Sequence, residues 1–473
     1  MSLMFIVESC ARTHHILIAR KEHFQKENQT FEDQPIRIDL SSGSEREKSH
    51  KNINTTISED DENIILLEMS QSSDEIPVKH VDENKKYMPA QPIIFKKKYE
   101  YNELIKIYMG KKWKTAFTVI LTIYLFGAIW SYVAVFGTSL TSFAPIPSIT
   151  HGDKCEVDIE FTQNCNNNYL LYIVLFGIVI IPISCADLVE QKWLQIFLFG
   201  FRFVALILMI LTCFVAMFNS HDSQHMSSSK PYIAEPYYFN WKHLPLAFAS
   251  FIFSQTFHHS ALIITEPLRK KNKLRTIFTS SLLTTYGFFS FLGIICSLYF
   301  GKKVKSILTL NWIEYSAAYD HPPFWAVTIR IIIIIFPILD VVSVFPLKVV
   351  TIGTALQNLF VPRTLKSQDK TSKMYKILFR VMAGLFPLIG AMIMKKIPII
   401  ILFNGIIACL ITFIFPTILQ YKSQKEAQKW FGFHKTKYSN FTSGKAGIYI
   451  IGTFGSIVFL YSAVYSIYDY FFE

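Results

Sequence analysis

The sequence predicts an all-α, polytopic membrane protein, and three observations carry the prediction. Hydrophobic residues make up 51% of the 473 positions and charged residues only 17%. The apolar residues fall into blocks of about 20, the length that crosses a bilayer core. Lys and Arg gather in alternate connections between those blocks. A soluble chain of this size would divide into two or three domains with mixed surfaces. It could not bury this many helices that are apolar all round.

The first element is MSLMFIVESCARTHHILIARKEHF, Met1 to Phe24. It lacks the order of a secretory signal, because its basic residues follow the apolar word and no small-residue cleavage site comes after an adequate hydrophobic run. It is too interrupted to span a bilayer alone, since Glu8, Arg12, His14 and His15 fall within its length. Residues 25–98 are rich in Ser, Asp, Glu, Lys and Asn. That composition buries too little apolar area to offset chain entropy, so a disordered cytosolic linker is expected. Within it ENIILL, Glu62–Leu67, has the acidic residue and paired leucines of an endosomal sorting signal; a nascent amphipathic turn is the plainer alternative. The expected location is a lysosomal, endosomal or plasma membrane.

Residues 99–473 then form a nine-span transmembrane domain. Its blocks run Thr115–Phe143, Tyr169–Ala186, Trp193–Phe218, His243–Leu268, Ile277–Phe300, Pro323–Leu347, Met374–Met394, Ile397–Gln420 and Gly447–Tyr468. With the segment before Thr115 in the cytosol, the inner connections hold 24 Lys and Arg and the outer ones 8. This is the positive-inside asymmetry, and it accounts for the net charge of +12. A nucleic-acid role would need the basic residues on one folded domain, which they are not. The sequons at Asn28, Asn54 and Asn440 fall on the cytosolic side and should carry no sugar. Cys155 and Cys165 share one outer loop, where a disulfide and two free thiols are both open; the cysteines inside apolar blocks suit small core residues.

The fourth block holds an anomaly, SQTFHHSALIITEP from Ser254 to Pro267. A polar run at mid-depth must face protein, water or ligand. Adjacent His258 and His259 lie about 100° apart on a helix and do not make one metal site, which needs i, i+4 spacing. Two readings are open: packing between helices through hydroxyls and His, or a discontinuous helix whose polar groups form a substrate site. In the second, Ser254, Gln255, Thr256, His259 and Ser260 bind substrate.

Five stretches in order resemble one family. IYLFGAIWSYVAVFGTSL (Ile123–Leu140), DLVEQKWLQI with Asp187, Lys192, Leu194 and Gln195, and SQTFHHSALIITEP with Ser254, His259, Ser260 and Pro267 are the first three. RIIIIIFPILDVVSVFP, with Arg330, Phe336, Pro337, Phe345 and Pro346, and NGIIACLITFIFPTILQY, with Gly405, Pro416 and Tyr421, follow. Together they resemble an orphan branch of the amino acid/auxin permease superfamily. The resemblance implies an inverted-repeat transporter fold of 5+5 helices plus an eleventh, with the first and sixth helices broken at mid-membrane. It implies transport of amino acids with a proton or sodium ion. Met1–Phe24 is similar to the cytosolic half of the family's second helix, so the chain is expected to lack helix one and part of helix two. Leu262 stands where the family has a proline, and Ala128 where it has an acid.

Two further residues are candidates for ion coupling. Asp340 is a carboxylate inside an apolar block, by default a functional group; the alternative is a structural pair with Arg202, Arg330 or Lys348. Ser343 matches a hydroxyl position that, in the superfamily, can help ligate sodium. No phosphate-binding loop, H-E-x-x-H or nucleophile elbow is present, so no enzyme is expected, and no cofactor or metal. A secondary transporter of amino-acid-like solutes and a transport-inactive membrane scaffold or sensor are the two function classes.

Overall fold

The computed structural model of the chain describes residues 1–32, 99–151, 155, 162–186, 192–218, 243–265, 268, 270–317, 321–361 and 369–472. The Glu62–Leu67 word and most of the expected linker lie outside the described residues. The described residues are helical and contain no strand. The physical reason is the solvent: in lipid every backbone N–H and C=O must be satisfied within its own segment. The principal helices are α1 (Ser2–Glu32), α2 (Tyr101–Met109), α3 (Lys111–Phe143), α4 (Gln163–Cys185), α5 (Lys192–Phe218) and α6 (Leu244–Gln255). They continue with α7 (Leu274–Phe300), α8 (Phe324–Phe360), α9 (Asp369–Ile393), α10 (Ile397–Phe431) and α11 (Lys445–Phe472).

Among the described residues, eight helices are long and apolar enough to cross a membrane: α3, α4, α5, α7, α8, α9, α10 and α11. They correspond to eight of the nine apolar blocks. The ninth, His243–Leu268, is absent from that group because its helix stops at Gln255. The spans present large apolar side chains outward, such as Ile178, Phe197, Leu283 and Ile457. A surface of that kind is suited to lipid tails. The protein is an all-α, polytopic membrane protein.

The chain forms two compact units. The larger holds Lys111–His259, Thr276–Ile414 and Thr453–Glu473. In it α3 packs against α4, α8, α9 and α10, and α6 lies along α10. Helix contact in lipid favours small residues that let backbones approach. Gly405 of α10 is such a point: a Cβ there would stand 2.5 Å from the Cα of Ala249 on α6. A separate core joins α5, α7 and α8 around Met209, Cys213, Cys296 and the fully buried Trp312. Trp312 donates its indole N–H to Thr212 Oγ1 at 2.9 Å. Cys155 and Cys165 form a disulfide, with Cα atoms 5.5 Å apart.

The smaller unit holds Met1–Gly110, Ser260–Arg275 and Phe415–Gly452. α1 extends past Phe24 to Glu32 and packs on α2 and on the end of α10 that follows Phe415. Its interrupting charges are neutralised internally. Glu8 and Arg12, both fully buried, form an i, i+4 ion pair of 2.6 Å. Arg12 also donates to Gln420 Oε1 and Ser423 Oγ, each at 2.9 Å, and to the His434 carbonyl at 2.8 Å. Glu8 accepts from Gln420 Nε2 and Ser439 Oγ, each at 3.0 Å, and from Ser443 Oγ. Every arm of the pair is thereby satisfied, which a buried ion pair requires.

Candidate functional site

The site is built where α6 stops. From Leu244 the helix is apolar and regular; at Thr256 the backbone turns to φ −84°, ψ 92°. No glycine or proline causes this. The Thr256 hydroxyl donates to the Ile252 carbonyl at 2.5 Å, occupying the acceptor that its own backbone N–H would use in a continuing helix. The Thr256 N–H reaches back to Phe253 O instead, at 3.3 Å, and the Phe257 N–H to Gln255 O at 3.2 Å. Local competition of this kind is the known cost of Thr within a helix. The chain then makes a 3-10 turn at His258–Ser260 and a single α-turn at Ala261–Ile264.

Neighbouring helices complete the break. Tyr124 of α3, fully buried, donates its hydroxyl to the Thr256 carbonyl at 3.4 Å. On the α10 side, Thr412 Oγ1 lies 3.0 Å from Thr256 Oγ1. Thr412 is in a π-turn, Leu410–Ile414, that interrupts α10. Such π-turns occur often at functional sites. Two irregularities on adjacent segments therefore meet at a pair of hydroxyls. The His259 ring stands edge-on to Tyr124, centroids 6.1 Å apart, and its Nδ1 is buried without a hydrogen-bond partner among the described residues. Two turns before Thr412, the Asn404 amide is fully buried against Gly127 of α3, three residues from Tyr124. Neither its Oδ1 nor its Nδ2 has a hydrogen-bond partner among the described residues. Unpaired buried polar groups are costly.

The expected site residues separate accordingly. Thr256 and His259 are brought together with Tyr124. Ser254 is exposed, its hydroxyl turned back to the Phe251 carbonyl at 2.8 Å. Gln255 and Ser260 are half-buried on either side of the break. Asp340 of α8 is in a salt bridge with Arg202 of α5. Ser343 is buried and donates to the Asp340 carbonyl at 3.2 Å, one turn back along α8. Beside them the Lys348 ammonium sits over the Tyr132 ring, 5.4 Å from its centroid. No group of three metal-ligating side chains occurs among the described residues. Tyr124, Thr412 and Asn404 were not singled out by sequence; a lone Tyr, Thr or Asn in an apolar block gives no signal by itself.

Comparison with known proteins identifies the family. The chain is 21% identical over 355 residues to a transmembrane protein 104 homolog of Drosophila melanogaster, covering 71% of this chain and 66% of that protein. It is 22% identical over 374 residues to the Dictyostelium discoideum homolog, covering 74% and 67% respectively. Transmembrane protein 104 of Mus musculus matches at 22% over 353 residues, 71% of this chain and 66% of the relative. The chain thus spans about two thirds of the length of these relatives. The sequence profile of the family described as transmembrane amino acid transporter protein matches residues 84–461, taking in the broken segment and the helices packed around it, and the chain belongs to that family.

Proposed function

We propose that the protein is a secondary transporter of amino acids or amino-acid-like solutes, coupled to a proton or a sodium ion, with its substrate site at the end of α6. The observation that carries this is the meeting of two helix irregularities at Thr256 and Thr412, 3.0 Å apart. Freed backbone at mid-membrane is tolerated where it is held by protein or lines a cavity. Transporters of broken-helix design bind substrate at such points. Thr256, Thr412 and the Tyr124 hydroxyl offer donors and acceptors for a zwitterion's charged ends. Asn404 adds an amide with both functions, and His259 a ring nitrogen. Gln255 and Ser260 flank the site; exposed Ser254 joins it only through movement of α6. Asp340 and Ser343 are the coupling residues of the proposal, because Asp340 carries the ion pair with Arg202 and the Ser343 hydroxyl bonds the Asp340 carbonyl. Residues 99–473 form the transport domain, the residues between α1 and α2 a cytosolic linker, and the membrane is lysosomal, endosomal or plasma membrane.

The test is uptake of a panel of radiolabelled amino acids into vesicles carrying the purified chain, with and without pH and sodium gradients. Thr256→Val removes one hydroxyl and leaves the volume; losing one buried hydrogen bond predicts roughly tenfold lower uptake. Gradient-dependent uptake unaffected by Thr256→Val would refute the placement of the site. A second reading, a transport-inactive scaffold or sensor, draws on Ala128 and Leu262, both buried where the family carries an acid and a proline. It predicts no uptake from any gradient while the folded protein is retained.

A further inference from the structure

A second site lies in the smaller unit. A cavity of about 620 Å³ opens between the last turns of α10, the loop after it and the first turn of α11. Its rim carries Lys425 and Lys429, one turn apart on α10, and Lys445, the first residue of α11. All three are exposed. Gln424, Gln428 and His434 supply further polar groups, and no acidic residue among the described residues lines the space. The nearest carboxylate along α10, Glu426, is held by Arg20 at 3.1 Å. Three ammonium groups around one concavity hold a field that favours an anion.

The walls are fixed rather than loose. Gln424 is buried, and its Nε2 donates to the Ser443 carbonyl at 2.5 Å. Ser443 bonds in turn to Glu8, and Arg12 holds the His434 carbonyl. The fully buried Glu8–Arg12 pair therefore anchors the α10 wall and the loop wall together. His434 Nδ1 is 3.3 Å from Gln428 Oε1. Burial, and then the positive charge of Arg12, Lys435 and Lys445 against the opposing Glu8, pull the His434 pKa below its ordinary value.

The depth of the cavity identifies the ligand class. Along α10 the apolar block ends at Gln420, and Tyr421, also lining the cavity, follows it. Along α11 the apolar run begins directly after Lys445. Tyr421 and Tyr449 are both exposed, as aromatic residues at a membrane interface are. From Tyr421 to Lys429 the helix rises about 12 Å, which spans the headgroup layer. The loop is on the face that the charge asymmetry assigns to the cytosol. Basic pockets between helices on that face accept phosphorylated headgroups.

We propose that this cavity binds a multiply phosphorylated inositol group, with Lys425, Lys429 and Lys445 on the phosphates and Gln424, Gln428 and His434 on the ring hydroxyls or remaining oxygens. The same chemistry is carried by an inositol phospholipid of the bilayer and by a soluble inositol phosphate. The test uses the full chain in detergent with a fluorescent dioctanoyl phosphatidylinositol bisphosphate, read by polarisation, and inositol trisphosphate as soluble competitor. Each lysine near the surface contributes about fivefold, so Lys425→Gln, Lys429→Gln and Lys445→Gln together should lower affinity on the order of a hundredfold. The corresponding Lys→Arg triple variant keeps the charge and should retain binding, which separates loss of charge from loss of folding. Competition by inositol trisphosphate at equal concentration assigns the site to a soluble anion; competition only at tenfold excess or more assigns it to the lipid. Unchanged binding in the Gln variant overturns the proposal. So does an equal loss in Lys111→Gln/Lys112→Gln, which neutralises exposed lysines of α3, or equally tight binding of dioctanoyl phosphatidylserine.

Discussion

Replacing Arg12 by Met tests the anchor of the smaller unit. The substitution preserves an unbranched, helix-compatible side chain and deletes four donated hydrogen bonds: one to Glu8, one to Gln420, one to Ser423 and one to the His434 carbonyl. It leaves the Glu8 carboxylate fully buried without its counter-charge. Breaking a buried pair from one side costs on the order of 3–5 kcal/mol. The hydroxyls of Ser439 and Ser443 and the Gln420 amide still reach Glu8, so the lower end, about 3 kcal/mol, applies; it corresponds to roughly a 150-fold change in an opening equilibrium. Glu8→Gln combined with Arg12→Met removes both charges and should cost about 1 kcal/mol, near fivefold. Cys10 lies between the two on the same helix, buried and unbridged. Its alkylation rate, resolved by peptide mass spectrometry, reports local opening of α1. The expected order is wild type slowest, the double variant modestly faster and Arg12→Met fastest. A double variant that labels as fast as Arg12→Met would refute the reasoning, because the penalty would then not come from the orphaned charge.

Two further outcomes follow from the packing and the topology. Gly405→Ala sets a Cβ 2.5 Å from Ala249 backbone atoms; α6 and α10 must part, at a cost of about 1–3 kcal/mol. The yield of monodisperse protein should fall, whereas Gly200→Ala, which meets nothing within 4 Å, should leave it unchanged; equal yields would show that the α6–α10 contact is slack. On intact cells, an impermeant maleimide should label Cys155 and Cys165 only after reduction, and Asn440 should carry no sugar. Labelling without reductant, or glycan at Asn440, would overturn the disulfide and the orientation respectively.

The spans were legible because lipid imposes one rule on all of them: a block of about 20 apolar residues becomes a helix. Eight blocks map directly; the last, Gly447–Tyr468, lies within Lys445–Phe472. The broken segment was legible as an anomaly, through its polar word, but not as a mechanism. That the Thr256 hydroxyl takes the Ile252 carbonyl and also stands 3.0 Å from Thr412 Oγ1 is a matter of packing, and the π-turn that presents Thr412 has no signature in LITFI. Asp340 illustrates the same limit: three basic partners were open to it, and only the packing of α5 against α8 selects Arg202.

The first helix teaches the complementary lesson. Glu8 and Arg12 weighed against insertion when each was considered as a single charge, yet their i, i+4 spacing is the one at which a helix pairs them on one face. What sequence could not supply is the rest of the shell, because Gln420, Ser423, His434, Ser439 and Ser443 come from more than 400 residues away. A charge inside an apolar word is thus weak evidence against burial whenever an opposite charge lies one turn along. The strength of that inference depends on polar residues elsewhere that no local pattern announces. In this chain His434, whose carbonyl Arg12 holds, also lines the basic cavity: Arg12→Met, by loosening the His434 loop, should weaken inositol bisphosphate binding without touching a rim lysine.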